Sequence, residues 1–212
     1  MNKILPKSYS WVKQGKKMLE TNIYLIRHGQ TKWNLEKRWQ GSLNADLTQE
    51  GIAQAYSAKD LMQEITLHKA YVSPLKRTQD TIAIILKEST LEAICMDGLK
   101  EISLGVWEGK TQEEIKKDDP KQSHNFWNES HLFDVVGAES FFEVQNRMIK
   151  VLDSIFKENI GKNILVVSHW VAIKVALAHY LQKDLSELSS IADPKNAQIL
   201  CLQKTGEKVS IL

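Results

Sequence analysis

Two arginines, two histidines and a carboxylate occupy positions from which they could handle a phosphoryl group. The apolar run Asn22–Ile26 ends in Arg27-His28-Gly29. The run Ala70–Val72 is followed by Ser73 and, one helical turn on, by Arg77. The run Asn163–Ser168 delivers His169, and Glu101 falls in the loop after Leu91–Cys95. Each alone has a plain reading, a hydrogen-bonded structural histidine or a solvated arginine. Together they are costly to gather unless a ligand compensates them. Arginine forks match phosphate oxygens two at a time. Gly29 lets the backbone approach an oxyanion closely. A helix opening after His169 would aim its first amides and positive dipole end at the same anion, and Asn34 and Gln40 can add neutral hydrogen bonds.

Such residues converge only if strands and helices alternate, because ligands of open α/β sheets bind beyond the carboxyl ends of the strands. The pattern from Thr21 onward meets that requirement. Thr48 predicts the cap of a helix reaching Ile65, with Ile52, Ala55, Tyr56, Leu61, Met62 and Ile65 on one face. Ser73-Pro74 reads as a cap and first-turn proline opening a helix to about Lys87. Glu139–Phe156 has Phe141, Val144, Met148, Val151, Leu152 and Ile155 in helical register. Asn163–Ser168 is continuously apolar, as in a parallel strand buried on both faces. A helix from about Trp170 to Leu181 follows, and Gln198–Gln203 and Lys208–Leu212 close as strands. The expected fold is a three-layer α/β/α sandwich around a mostly parallel sheet.

Composition narrows the classes. The 212 residues carry 28 basic and 26 acidic side chains, a net charge of +2, with 42% hydrophobic residues. A chain of that length buries a core without disulfides. A near balance of charge gives no global pull toward nucleic acid or an anionic membrane. The two cysteines, Cys95 and Cys201, sit in apolar runs and read as small core hydrophobes. There is no metal-ligand spacing: His28 and His169 lack an obvious third ligand, so no metal or cofactor is expected. No run reaches membrane-spanning length, and the cytoplasm is the expected compartment.

Residues 1–20 form a lysine-rich extension, expected to be mobile, ahead of a single domain over 21–212. The purine-rich codons implied by Lys13-Gln-Gly-Lys-Lys-Met18 also suggest a translation start at Met18. Asp118–Gly137 breaks the alternation and reads either as a surface excursion packed by its own aromatics, Phe126, Trp127 and Phe133, or as a lid. Trp39, Trp107, Phe126, Trp127 and Trp170 either line an aromatic entrance or belong to the core. Lys110, Lys116, Lys117 and Lys121 either meet a second acidic group or form a solvated face.

Five sequence blocks resemble the histidine phosphatase superfamily, also called phosphoglycerate mutase-like, over about Asn22 to Leu212. They are Leu25-Ile-Arg-His-Gly-Gln-Thr-Lys-Trp-Asn34, then Arg38-Trp-Gln-Gly41 with Asp46-Leu-Thr and Gly51, then Ser73-Pro-Leu-Lys-Arg-Thr78. Leu99-Lys-Glu-Ile-Ser-Leu-Gly-Val-Trp-Glu-Gly109 follows, and Gly137-Ala-Glu-Ser140 with Val167-Ser-His169 completes the order. The resemblance implies that His28 becomes phosphohistidine and that Arg27, Arg77 and His169 hold the phosphoryl oxygens. It implies further phosphate contacts from Asn34, Gln40, Gly41 and the Trp170 amide, and Glu101 as proton donor and then base. Glu108 is the rival carboxylate, although its place between Trp107 and Gly109 reads as support.

The chemistry agrees with those roles. A neutral imidazole is a good nucleophile, and neighbouring arginines disfavour its cation. The same arginines offset charge on the transferring group without a metal. An alkoxide leaving group needs a proton, which a carboxyl can supply. The block Glu101-Ile-Ser-Leu-Gly-Val-Trp-Glu-Gly109 resembles the phosphatase branch, so the expected activity is metal-independent hydrolysis of a small phosphomonoester. A cofactor-dependent mutase and a silent phosphate-binding module are the alternatives. Gly105-Val-Trp-Glu-Gly109-Lys-Thr111 is one residue short of a nucleotide-binding P-loop. Three departures stand out: Trp170 replaces a usual glycine, Asp46 a usual proline, and Ala138 shifts Glu139 by one, which removes Glu139 from substrate contact. The expected partner is a small phosphate ester; neither nucleic acid nor membrane is expected. The sequence leaves the oligomeric state open, a homodimer included.

Overall fold

The computed structural model describes residues 19–212, so the Met18 start and the expected extension up to residue 18 fall outside the described residues, while Glu20, assigned to that extension, already opens the first strand. In chain order the elements are β1 (Glu20–Arg27), α1 (Lys32–Leu35), α2 (Gln49–Met62), β2 (Lys69–Val72) and α3 (Lys76–Ile85). Then come β3 (Ala93–Cys95), α4 (Gln112–Asp118), α5 (Pro120–Asn128), α6 (Phe141–Glu158), β4 (Asn163–Ser168), α7 (Trp170–Tyr180), β5 (Ile199–Thr205) and β6 (Lys208–Ile211). The six strands run in the order β3-β2-β4-β1-β5-β6. The first four are parallel, and β5 pairs antiparallel to both β1 and β6. The expected α/β sandwich is therefore the observed fold.

Strand periodicity divides the core in two. Ile23, Leu25, Ile164 and Val166 face α6 and α7, while Ile26, Leu165 and Val167 face the side of α2 and α3. Both β1 and β4 are covered on both faces, which explains their nearly continuous apolar sequence. Helix α6 is fixed by a reciprocal cap in which Ser140 and Glu143 satisfy each other's amides. It buries Phe141, Val144, Met148, Leu152, Ile155 and Phe156 on one stripe. Helix α7 is buried along the whole of Val171–Ala178.

Several local expectations are corrected. Thr48 does cap α2, accepting from the Gly51 amide, but the helix ends at Met62, and Tyr56 and Leu61 face solvent. The buried positions are Gly51, Ala55, Ala58 and Met62, and at the first of them α2 lies so close against the Gly29–Gln30 turn that only glycine fits. A Cβ at Gly29 would stand 2.4 Å from the Gly51 carbonyl oxygen. Helix α3 opens at Lys76 with Leu75 as its cap; Ser73 is not the cap but is drawn into the site. Cys95 is exposed, since β3 is an edge strand with one neighbour; its sulfur accepts from Gln79 Nε2. The stretch 118–137 is largely helical, and two of its three aromatics join the main core: Phe126 and Phe133 pack on Trp107 and Phe141.

Candidate active site

The site grows from the register of β1 and β4. Arg27 is the partner of Ser168, and the His28 amide donates to the Ser168 carbonyl at 3.1 Å. His28 and His169 are thus the residues that follow two adjacent parallel strands. Their rings lie 5.3 Å apart between centroids, and both are buried. On the other side of β4, the Ser73 amide donates to the Val167 carbonyl at 3.1 Å. That places Ser73 Oγ 2.7 Å from His169 Nε2. Thr78 Oγ1 and Gln79 Nε2 donate back to the Ser73 carbonyl, which binds the start of α3 to the same corner.

Hydrogen bonding assigns the protons. His28 Nδ1 lies 2.8 Å from the Gly29 carbonyl, which can only accept, so Nδ1 carries the hydrogen and Nε2 a free lone pair. Burial, then the Arg77 and Arg27 guanidiniums, hold His28 well below the usual imidazole value, against the Gly29 bond. It is neutral at neutral pH. Burial and then Arg77 do the same to His169. Ser73 Oγ accepts the Leu75 amide at 3.4 Å and lies 2.7 Å from His169 Nε2, a bond in which the hydroxyl donates when His169 is the Nδ1–H tautomer. The other ring nitrogen, Nδ1, is buried without a partner.

The arginines repeat this pattern. Arg77 is 1% exposed. Its Nη atoms donate to the carbonyls of Leu43 (2.7 Å) and Gly41 (2.9 Å), while its Nε is buried and unpaired. Arg27 Nη1 donates to the Pro194 carbonyl at 2.9 Å, and its Nε is likewise buried and unpaired. Burial lowers both guanidiniums, Arg77 to about 10, so both stay cationic at neutral pH. Each unpaired buried donor costs about 1–3 kcal/mol unless an acceptor fills it. Arg27, His28, Asn34, Gln40, Arg77 and Glu101 line one cavity of about 80 Å³. Asn34 Oδ1 accepts from Thr31 N at 3.0 Å in a reciprocal cap, so its amide group is held against the first turn of α1. Gly41 has φ +51°, and a Cβ there would meet the Glu108 carboxylate. Gly41 contributes the carbonyl that anchors Arg77.

The two rival carboxylates take different places. Glu108 Oε1 accepts from the amides of Ser42 (2.8 Å) and Leu104 (3.1 Å), so it fastens two loops together. Glu101 lines the cavity, and its carboxylate accepts from the amides of Ile102, Val171 and Ala172 at 3.1–3.3 Å. This corrects the expectation for α7: two of its first-turn amides hold Glu101, leaving Trp170 as the first-turn amide that Glu101 does not engage. The loop behind Glu101 hangs on Arg147. That guanidinium donates to the carbonyls of Gly98, Lys100 and Glu101 and pairs with Glu139.

Sequence reasoning missed part of the surround. Arg38 lines the cavity beside Trp39, which the sequence offers as part of an aromatic entrance. The turn Asp193–Asn196 also closes on it, with Asn196 Nδ2 donating to the His28 carbonyl at 3.0 Å. The legible signal was that β5 runs antiparallel beside β1, so whatever precedes β5 must lie at the carboxyl end of β1. His68, His124, His131 and His179 do not line the cavity, nor do Lys110, Lys116, Lys117 and Lys121. Among the described residues no group of three or more His, Cys, Asp or Glu could hold a metal ion. No helix among them is long and apolar enough to cross a membrane.

The sequence model of the histidine phosphatase superfamily (branch 1) matches residues 23–212. The chain belongs to that superfamily. Its curated relatives include phosphoserine phosphatase 1 of Hydrogenobacter thermophilus, 35% identical over 79% of this chain and 80% of that one. Another is the metal-independent phosphoserine phosphatase of Arabidopsis thaliana, 31% identical over 89% of this chain and 78% of that one. Among solved structures, Bacillus stearothermophilus YhfR superposes with a TM-score of 0.88 at 31% identity, covering 90% of this chain and 95% of that one.

Proposed function

We propose that this histidine phosphatase hydrolyses a small phosphomonoester, without a metal ion, through a phosphohistidine on His28 Nε2. The chain is a phosphomonoesterase of its family; the residue roles are our assignment. One observation carries them. Four buried nitrogens without partners, Arg27 Nε, Trp39 Nε1, Arg77 Nε and His169 Nδ1, accompany a neutral imidazole whose Nε2 lone pair is free. A phosphoryl group supplies the missing acceptors and the electrophile at once.

In the first half-reaction Nε2 attacks phosphorus as the bond to the ester oxygen breaks. Glu101 gives that oxygen a proton, and the alcohol leaves. In the second, water attacks phosphorus as the phosphorus–nitrogen bond breaks, and passes a proton to the Glu101 carboxylate. Orthophosphate departs, and the lone pair returns to Nε2. The two arginines offset charge on the equatorial oxygens in both steps.

The test is p-nitrophenyl phosphate hydrolysis in EDTA by wild type and His28→Ala. Turnover that survives EDTA and drops at least about 10⁴-fold in the variant is expected. Activity retained by the variant, or abolished by EDTA, overturns the assignment.

A further inference from the structure

A second cavity of about 290 Å³ adjoins the first and shares with it the walls formed by Arg27, Asn34, Arg38, Trp39 and Trp170. Four of the six tryptophans of the chain, Trp33, Trp39, Trp127 and Trp170, line it. Trp107 supports them from the core, its ring 6.3 Å from that of Trp39. Trp127 remains 37% exposed, an unusual place for so large an apolar side chain.

Trp170 is locked in this wall. Its indole Nε1 donates to Asp193 Oδ1 at 3.1 Å, and Lys174 Nζ donates to the same oxygen at 2.6 Å. The Lys174 ammonium lies 5.4 Å from the Trp170 ring centroid. Phe126 stacks on the indole with centroids 5.9 Å apart at 28°, and Trp127 packs at 5.4 Å. Because Trp170 lines both cavities, the indole stands beside the passage from the phosphate cavity into the second one.

The charges here are equally telling. Asp193 is the single acidic residue of this second cavity, and it is held by Lys174 and the indole. Lys37, Arg38 and Arg27 make the remaining charge positive. A leaving group bearing an ammonium meets only a carboxylate that Lys174 already pairs, whereas a flat ring finds indole surface.

We infer that this second cavity is the leaving-group subsite and that it selects phosphomonoesters whose alcohol carries a planar aromatic ring, with Trp127 and Trp170 determining specificity. The inference rests on the phosphatase reading, which places the phosphate in the inner cavity.

The test compares 2-phenylethyl phosphate with O-phosphoserine and n-propyl phosphate, all primary alkyl esters, in wild type and Trp127→Ala. The expected kcat/KM for the phenylethyl ester exceeds the other two by roughly tenfold or more, and Trp127→Ala shrinks that ratio several-fold. The ratio is internal to each protein, so a general loss of folding cancels. Preference for O-phosphoserine, or a ratio unmoved in the variant, overturns the inference. Binding of 2-phenylethylphosphonate against methylphosphonate, read by tryptophan fluorescence, separates the two readings. Tighter phenylethylphosphonate binding without turnover of any ester sustains the subsite while the phosphatase reading fails. Equal binding of the two overturns the subsite even if hydrolysis proceeds.

Discussion

Arg147 and Glu139 form a two-bonded ion pair, Nε to Oε1 at 2.8 Å and Nη2 to Oε2 at 2.9 Å, directly behind the loop that carries Glu101. The same guanidinium spends its other donors on the carbonyls of Gly98, Lys100 and Glu101, and Glu139 Oε2 also accepts the Ser103 amide. Both residues therefore act on the loop, not on a substrate. Lysine cannot reproduce the fork. Arg147→Lys is expected to lower kcat/KM for an alkyl phosphate by about 10- to 100-fold while p-nitrophenyl phosphate loses far less, because only the poor leaving group needs a well-placed acid. Equal losses on both esters would make the fork a general support.

Glu101→Gln keeps the shape and removes the proton. Turnover of alkyl phosphates should fall by about 10²–10⁴, with little change for p-nitrophenyl phosphate. Steady-state kinetics on the two esters is the check, and matching losses take Glu101 out of the acid role.

Ser73→Ala removes the hydroxyl that bonds His169 Nε2 and that, in the proposed assignment, holds the ring as the Nδ1–H tautomer. The ring is then free to place its hydrogen on Nε2, and the donor facing the phosphate is lost. Inhibition by orthophosphate or vanadate should weaken by about tenfold, the worth of one hydrogen bond to a charged group. Nitrogen-15 spectra of the imidazole report the tautomer directly, and an unchanged pattern contradicts the assignment.

The buried histidines also set a pH window. Both folded values are lowered, so the unfolded chain takes up protons first as pH falls below 6.5. Stability should therefore be undiminished by them above that pH and decline below it, by about 1.4 kcal/mol per pH unit for each histidine, until the folded values are reached. Urea unfolding at a series of pH values measures the slope. By the same logic the loss of kcat/KM from protonating His28 sets in well below 6.5.

The legible parts of the molecule were those governed by local pattern. Asn163–Ser168 is a strand with the expected bounds because every residue after Asn163 is buried. The stripe on α6 repeats at helical spacing for the same reason. Strong motifs also placed His28, Arg77, Glu101 and His169 around one corner. What escaped was decided across the chain. Ser73 has the makings of a cap, but a partner 96 residues away claims its hydroxyl. Glu101 takes the amides of Val171 and Ala172, 70 and 71 residues on. Tyr56 and Leu61 follow the helical period yet face water, because the N-terminal turn of α2 is pressed against Gly29 and fixes how that helix rolls.

The pairing of Arg27 with Ser168 has an evolutionary consequence. The distance between His28 and His169 is a property of the sheet ladder, and the ladder moves only in whole residues. A single insertion inside either strand turns one histidine to the opposite face, so the spacing cannot drift by small steps. The tryptophan wall comes instead from separate stretches around residues 33–39, 127 and 170, outside the ladder. Descendants of such a scaffold can exchange one substrate for another by point substitution there, while the reaction they perform stays fixed.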